Sequence, residues 1–205
     1  MSSAEPAPAA AADPTGLRIF PVTGLGEVEP GDDLAALLLD ALTVRSGGHP
    51  TVPDGLVDGD VLVVTQKVVS KAEGRLVAID ADDPAAKREL VERESVRIVR
   101  RRDELLITET RHGFICANAG VDLSNVGVGT AALLPVDPDG SAAAIRDHLE
   151  LCFSVTPLAV VVSDTHGRAF RKGNVNVAIG SAGVVALGSI VGGGDVPALL
   201  TARTS

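Results

Sequence analysis

The stretch DGDVLVVTQKVVSKAEGRLV, residues 58–77, decides the reading of the fold. Its turn, Asp58-Gly59-Asp60, opens an unbroken apolar run, Val61-Leu62-Val63-Val64, of the kind found in strands covered on both faces. Residues 65–75 extend this strand with polar side chains and offer Lys67, Lys71 and Arg75 near its end. A second apolar run, residues 158–162, leads likewise into Ser163-Asp164-Thr165-His166. Working outward, Leu34, Leu37, Leu38, Ala41 and Leu42 recur at helical spacing, with Asp32 placed to cap the first free amides. Pro84 opens a second helix expected to reach about Arg100, and residues 141–151 make a third. Short strands are expected at 17–22, 104–108, 113–117 and 184–191, and a polar, glycine-rich surface loop at 45–53. This succession predicts an α/β or α+β fold without internal repeats.

A chain of 205 residues suits one domain with a sizeable core. Hydrophobic residues make up 45%, but aromatics only 2%, with no Trp or Tyr, so the packing must be aliphatic. A formal net charge of −9 argues against a broad basic surface for nucleic acid, and any phosphate group must be met locally. Basic residues do gather at 87–102, yet Glu89, Glu92 and Glu94 interleave with them as on a solvated helix face. Cys116 and Cys152 lie far apart without C-x-x-C spacing, which suggests neither a disulfide framework nor a zinc site and fits a reducing compartment. Residues 1–15 read as a disordered, Ala- and Pro-rich tail and 192–205 as an irregular one, leaving a folded domain at 16–191. No run approaches the roughly 18 uninterrupted apolar residues of a membrane span, so the expected setting is the cytoplasm.

The motifs G-x-x-x-x-G-K-[ST], G-x-G-x-x-G between strand and helix, G-x-S-x-G and H-E-x-x-H are absent. Three polar segments behind the expected strands remain. Lysines at a strand end are ordinarily a surface turn, yet they also suit the phosphate oxygens of a nucleotide. Small residues at 118–120 permit close approach of a ligand, and Asp122, Ser124 and Asn125 either cap a turn or converge as oxygen ligands. Asp164 follows a buried strand, where open α/β sheets place their ligands, with Arg168, Arg171 and Lys172 close behind. Two carboxylates and two basic clusters so placed suit a divalent cation, Mg2+ or Mn2+, whose shell nucleotide phosphates complete; zinc would want Cys or His.

Over residues 17–183 the chain resembles the coenzyme F420-0:L-glutamate ligase family, through GLGEVEPGDDL (24–34), DGDVLVVTQKVVSKAEGRLV, ITETRHGFICANAGVDLSNV (107–126), LLPVDPDGSAAAIRD (133–147) and SDTHGRAFRKGNVNVAIGSAG (163–183). The resemblance implies that family's own fold of mixed sheets and flanking helices, and a homodimer. It also implies a two-step ligation: GTP phosphorylates the carboxylate of coenzyme F420-0, and the amine of L-glutamate displaces the phosphate, with further glutamates added by γ-linkage. Carried over residue by residue, Thr23, Gly24, Leu25, Gly26, Gln66, Lys71 and Asn125 would meet the nucleotide, although the family often has Ser where this chain has Gln66. Asp122, Asp164 and Thr165 would hold Mg2+ or Mn2+, with K+ as a further cation, and Lys71 would add a positive partner for developing phosphate charge. Charge and position nominate Arg168 and Arg171 for substrate carboxylate or phosphate contacts. Family members continue past AIG-x-AG with a charged segment containing D-x-x-G and a T-x-V-A-x-A-D-E helix, which residues 184–205 do not display. The expectation is a copy truncated at its C-terminus, and the competing reading is a catalytically inactive homologue that only binds nucleotide or a partner.

Overall fold

The structure is a computed structural model that describes residues 16–43, 45–46, 49–50, 52, 55–80, 83–124, 126–127, 129–167 and 173–184. In chain order its elements are α1 (Leu34–Thr43), β1 (Arg45–Ser46), β2 (His49–Pro50), β3 (Val61–Thr65), α2 (Gln66–Ala72), β4 (Leu76–Ala78), α3 (Pro84–Arg93), β5 (Ser95–Arg102), β6 (Leu105–Thr110), β7 (Ile115–Ala117), β8 (Thr130–Ala132), α4 (Pro138–Phe153), β9 (Ala159–Gly167) and β10 (Asn174–Ala182). A 3-10 turn, Asn118–Gly120, follows β7. Helices and small sheets alternate along the chain, the mixed α/β, or α+β, organisation expected. The tails at 1–15 and 192–205 lie outside the described residues, as does the expected strand 184–191 beyond Val184.

The sheet that carries the site has the order β10-β9-β3. As the central strand, β9 pairs in parallel with β3, from Val61↔Ala159 to Thr65↔Ser163, and antiparallel with β10. Position explains composition, because Val160 and Val162 of β9 are buried with Leu62 and Val64 of β3, Leu34, Leu38 and Leu42 of α1, and Ile145 and Leu149 of α4. Each such side chain contributes roughly 1.5–3 kcal/mol by leaving water. A second, smaller core joins Leu90 and Val91 of α3 to Leu106 of β6, Ala119, Val121 and Leu133. Around it lie the antiparallel sheet β5-β6-β7 and the β4-β8 pair. Arg75 ties the two cores together: its Nε donates to the Leu134 carbonyl at 3.0 Å and its guanidinium pairs with Glu94 at 2.9 Å.

Several expectations need correction. β3 is not covered on both faces: Leu62 and Val64 are buried, but Val61 and Val63 are 49% and 61% exposed, because β3 is an edge strand with one face toward solvent. Nor do residues 65–75 prolong it, since α2 starts at Gln66. Its inward residues, Gln66, Val69 and Ser70, follow a helical period that the neighbouring valines disguise. The second helix stops at Arg93, and the β-branched Val96, Ile98 and Val99 that follow belong to β5, paired with β6. Residues 17–22 form no strand, for Leu17 and Ile19 are 80% and 83% exposed and find no ladder partner among the described residues. The loop 45–53 contains the small antiparallel β1-β2 pair. Asp33, not Asp32, caps α1, accepting from Ala36 N–H at 3.1 Å, while Asp32 accepts from Glu29 N–H at 2.8 Å.

The third helix is longer than its apolar period indicates, because Asp137 caps it and Pro138 fills the first turn, where no N–H is needed. Asp137 Oδ1 accepts from Gly140 N–H at 3.0 Å. Asp137→Ala removes this cap and is expected to cost about 1 kcal/mol, read as a melting point lowered by roughly 2–4 °C at this chain length.

Candidate active site

Helix α2 organises the site. On its buried face Gln66, 3% exposed, donates from Nε2 to Ser70 Oγ at 2.6 Å and to the Leu133 carbonyl at 3.0 Å. Ser70 Oγ in turn donates to Leu133 O at 2.6 Å. A buried polar network with its donors satisfied fixes the roll of the helix. Lys67 and Lys71, one turn apart, share another side.

Lys71 donates to the carboxylate of Glu27, the residue after the Thr23-Gly24-Leu25-Gly26 turn. Gly31 N–H donates to Ala72 O at 2.9 Å, so residues 27–31 are held across the end of α2. The structure therefore brings Lys71 to the residue that follows the turn. Gln66 lies on the buried face of the same helix, with its amide nitrogen already engaged.

Lys67 reaches the opposite way. Its Nζ lies 2.8 Å from Asp122 Oδ2, 2.6 Å from Ser124 O and 3.2 Å from Ser124 Oγ. Asp122 is delivered by a left-handed turn with φ of 50° at Asn118, 53° at Ala119 and 71° at Gly120. This conformation costs an L-residue on the order of 1–2 kcal/mol. Asn118 Oδ1 anchors the turn by accepting from Leu106 N–H at 3.2 Å. At Gly120 a side chain would meet Leu134. Beyond the turn Asp122 is pinned to Ala132 by two main-chain hydrogen bonds, of 3.0 and 2.8 Å.

Asp164 lies on β9 itself rather than past its end, in the part of the strand beyond Ser163, where pairing with β3 has stopped. β3 turns into α2 at that point. The alternation of a strand places Asp164 and His166 on one face and Thr165 on the other. Thr165 Oγ1 accordingly donates to Asn176 Oδ1, its cross-strand partner, at 2.8 Å. His166 Nδ1 is 4.0 Å from Asp164 Oδ2, and its ring leans on Phe114 with centroids 6.3 Å apart.

The two carboxyl groups titrate in opposite directions. Burial pushes Asp122 up, but the hydrogen bond from Lys67, those from Ser124 N–H and hydroxyl, and the Lys67 charge together outweigh it, leaving the group below the ordinary carboxylate range. Asp164 is raised, chiefly by burial, which outweighs the hydrogen bond from Thr165 N–H and the charge of His166; the negative charge of Asp122 adds a smaller upward push and Lys67 a smaller downward one. Their mutual influence places both aspartates and Lys67 in one electrostatic neighbourhood. Cys116 belongs to it as well: burial and the charge of Asp164 push its thiol up to about 11. Cys116 is therefore neutral at physiological pH, and iodoacetamide is expected to modify the exposed Cys152 first, as peptide masses after brief labelling would show.

Among the described residues no group of three His, Cys, Asp or Glu side chains converges as a ready cation cage. The donor set nevertheless fits a hard divalent cation bound by two carboxylates, with phosphate oxygens or water completing its shell. A carboxyl group disfavoured as an anion by a neighbouring anion is what such a cation would relieve. Asn125, Arg168 and Arg171 lie outside the described residues. The parts that sequence reading did not assign are the Lys67 bond to Asp122, the Glu27 partner of Lys71, and the Cys116 and His166 neighbours of Asp164. Only the first has a legible signal, the i, i+4 spacing of the lysines, which a strand reading of residues 65–75 conceals.

No described helix is long and apolar enough to cross a membrane. The family model for F420-0:gamma-glutamyl ligases matches residues 24–201. Coenzyme F420:L-glutamate ligase of Methanothermobacter thermautotrophicus is 41% identical over 183 residues, covering 82% of this chain and 69% of that protein. The ligase of the same name from Methanopyrus kandleri is 41% identical over 194 residues, 88% of this chain and 72% of its own. That of Archaeoglobus fulgidus is 36% identical over 193 residues, again 88% and 72%. With Gly24–Gly26 of the turn, the lysine helix and both aspartates inside the matched span, the chain belongs to the F420-0:gamma-glutamyl ligase family.

Proposed function

We propose that this chain joins L-glutamate to coenzyme F420-0 in coenzyme F420 biosynthesis, at the expense of GTP and through an acyl phosphate. The observation that carries the reading is that Asp122, paired with Lys67 of α2, lies within electrostatic reach of Asp164, while Lys71 of the same helix pairs with Glu27, next to the Thr23–Gly26 turn. Relatives over most of the chain are named for ligation of glutamate to coenzyme F420. An acid does not condense with an amine unaided, so its carboxylate must first be made into a better acyl donor, which phosphorylation does.

In this reading the glycine-bearing turn and Lys71 receive the nucleotide, and Glu27 releases Lys71 to the phosphates. Gln66 keeps α2 at the fixed roll from which Lys71 projects, and Asn125 adds a contact. Asp122 and Asp164 hold Mg2+ or Mn2+, which when bound would neutralise charge on the phosphate oxygens. Thr165, with its hydroxyl on the other strand face, serves such a cation through its main chain. Arg168 and Arg171 meet substrate carboxylate or phosphate, K+ is a further cation, and the working unit is a cytoplasmic homodimer.

The experiment is turnover of the purified chain with coenzyme F420-0, L-glutamate, GTP and Mn2+, read by product mass. The expected product carries one added glutamyl residue and appears only with GTP. No such product, under conditions in which the Methanothermobacter thermautotrophicus ligase turns over, would overturn the reading in favour of an inactive homologue.

A further inference from the structure

Lys67 occupies more of the site than a distant counter-charge would. An ammonium group has three protons, and Lys67 has three oxygens around it: Asp122 Oδ2, Ser124 O and Ser124 Oγ. The other carboxylate oxygen, Asp122 Oδ1, accepts from Ser124 N–H and from Ser124 Oγ, both at 2.7 Å. Both oxygens of Asp122 are thus committed, one of them to a cation. The Lys67 side chain is only 21% exposed, and its charge extends to Asp164 as well. A divalent ion bound to the same carboxylate would stand within a few ångströms of this ammonium group, where two positive charges repel strongly even with partial solvent screening.

We propose that Lys67 is the resident counter-ion of the Asp122–Asp164 pair and that a divalent cation binds by displacing it, so that Lys67 sets the cation affinity of the site. The inference rests on the reading of these aspartates as the cation site. Displacement needs only rotation of the long Lys67 side chain, because the Gln66–Ser70–Leu133 network holds the helix in place. Without a divalent ion, Lys67 offsets the Asp122 charge and keeps the acidic pair assembled; with one, that task passes to the ion.

The test uses the full chain without nucleotide. Free Mn2+ is followed by electron paramagnetic resonance during titration of wild type and Lys67→Met, whose side chain keeps the apolar stem and loses the charge. Lys67→Met is expected to bind Mn2+ at least about tenfold more tightly, and to melt below wild type without Mn2+ but not at saturation. In wild type, acylation of Lys67 by an amine-reactive ester, quantified by mass spectrometry against Lys87, is expected to rise severalfold at saturating Mn2+. Equal or weaker Mn2+ binding by folded Lys67→Met would overturn the displacement while leaving the cation site standing. Absence of Mn2+ binding to both proteins would overturn both. Should Lys67→Met fail to fold, unchanged acylation of wild-type Lys67 at saturating Mn2+ would overturn the proposal.

Discussion

Asp164→Asn is expected to lower the rate of glutamyl ligation by roughly a thousandfold, equivalent to about 4 kcal/mol of barrier, while raising the melting point of the cation-free protein. The two effects share one cause. The Asp164 carboxyl group is raised by burial and by the negative charge of Asp122. An acid whose folded-state pKa is raised adds stability at low pH, in its protonated form, and loses it as pH rises through the folded value. At neutral pH its carboxylate is therefore a burden on the fold, which Asn relieves while removing an anionic oxygen that the cation requires. Asp122→Asn should lower turnover in the same way but destabilise. The Asp122 carboxyl group is depressed, so it contributes stability above the ordinary carboxylate range and loses it as pH falls through its folded value. Melting curves at neutral pH and initial rates for both variants check the pair. Equal turnover in wild type and both variants would sink the site assignment, and stability changes of like sign would sink its electrostatics.

Gly180→Ala is expected to destabilise the chain by about 3 kcal/mol, a melting point lowered by roughly 2–4 °C per kcal/mol at this length. β10 changes register between Ala178 and Gly180, and Ile179 and Gly180 are both buried there. A Cβ on Gly180 would overlap the Pro138 main chain at the start of α4. Backbone cannot rotate aside as a side chain can, so either α4 or β10 must move. Because β10 pairs with β9 along its whole length, the strand carrying Asp164 moves with it, and kcat should fall in the fraction that remains folded. A melting point within 2 °C of wild type would mean that this contact is not as tight as the structure has it.

How much of this could be read in advance differs from element to element. The amphipathic period of α1, the buried run of β9 and the helix expected at 141–151 are local signals and appear in the structure within a few residues of their expected bounds, α4 starting earlier through its Asp137–Pro138 cap. The stretch 61–75 was the hardest to read, because VLVVTQKVV serves a strand and a helix equally well until partners are known. Whether Val61 and Val63 face a second layer or solvent depends on which strand lies beside β3, and no local pattern states that. Residues 95–102 pose the same problem: their arginines suit a helix face, but pairing with β6 makes them a strand.

Residue chemistry and motif spacing determined the family, the aliphatic core and the identity of the acidic and basic side chains, because these are properties of the residues themselves. Tertiary structure decided which of them meet. Asp122 and Asp164 are 42 positions apart in the chain, one placed by a left-handed turn and an isolated bridge to Ala132, the other by a central strand. Their opposite titration, and the capture of Lys67 by one of them, arise from distances and burial that exist only once both cores have packed. Electrostatic energies depend on separation and solvent access, and neither is a property of sequence order.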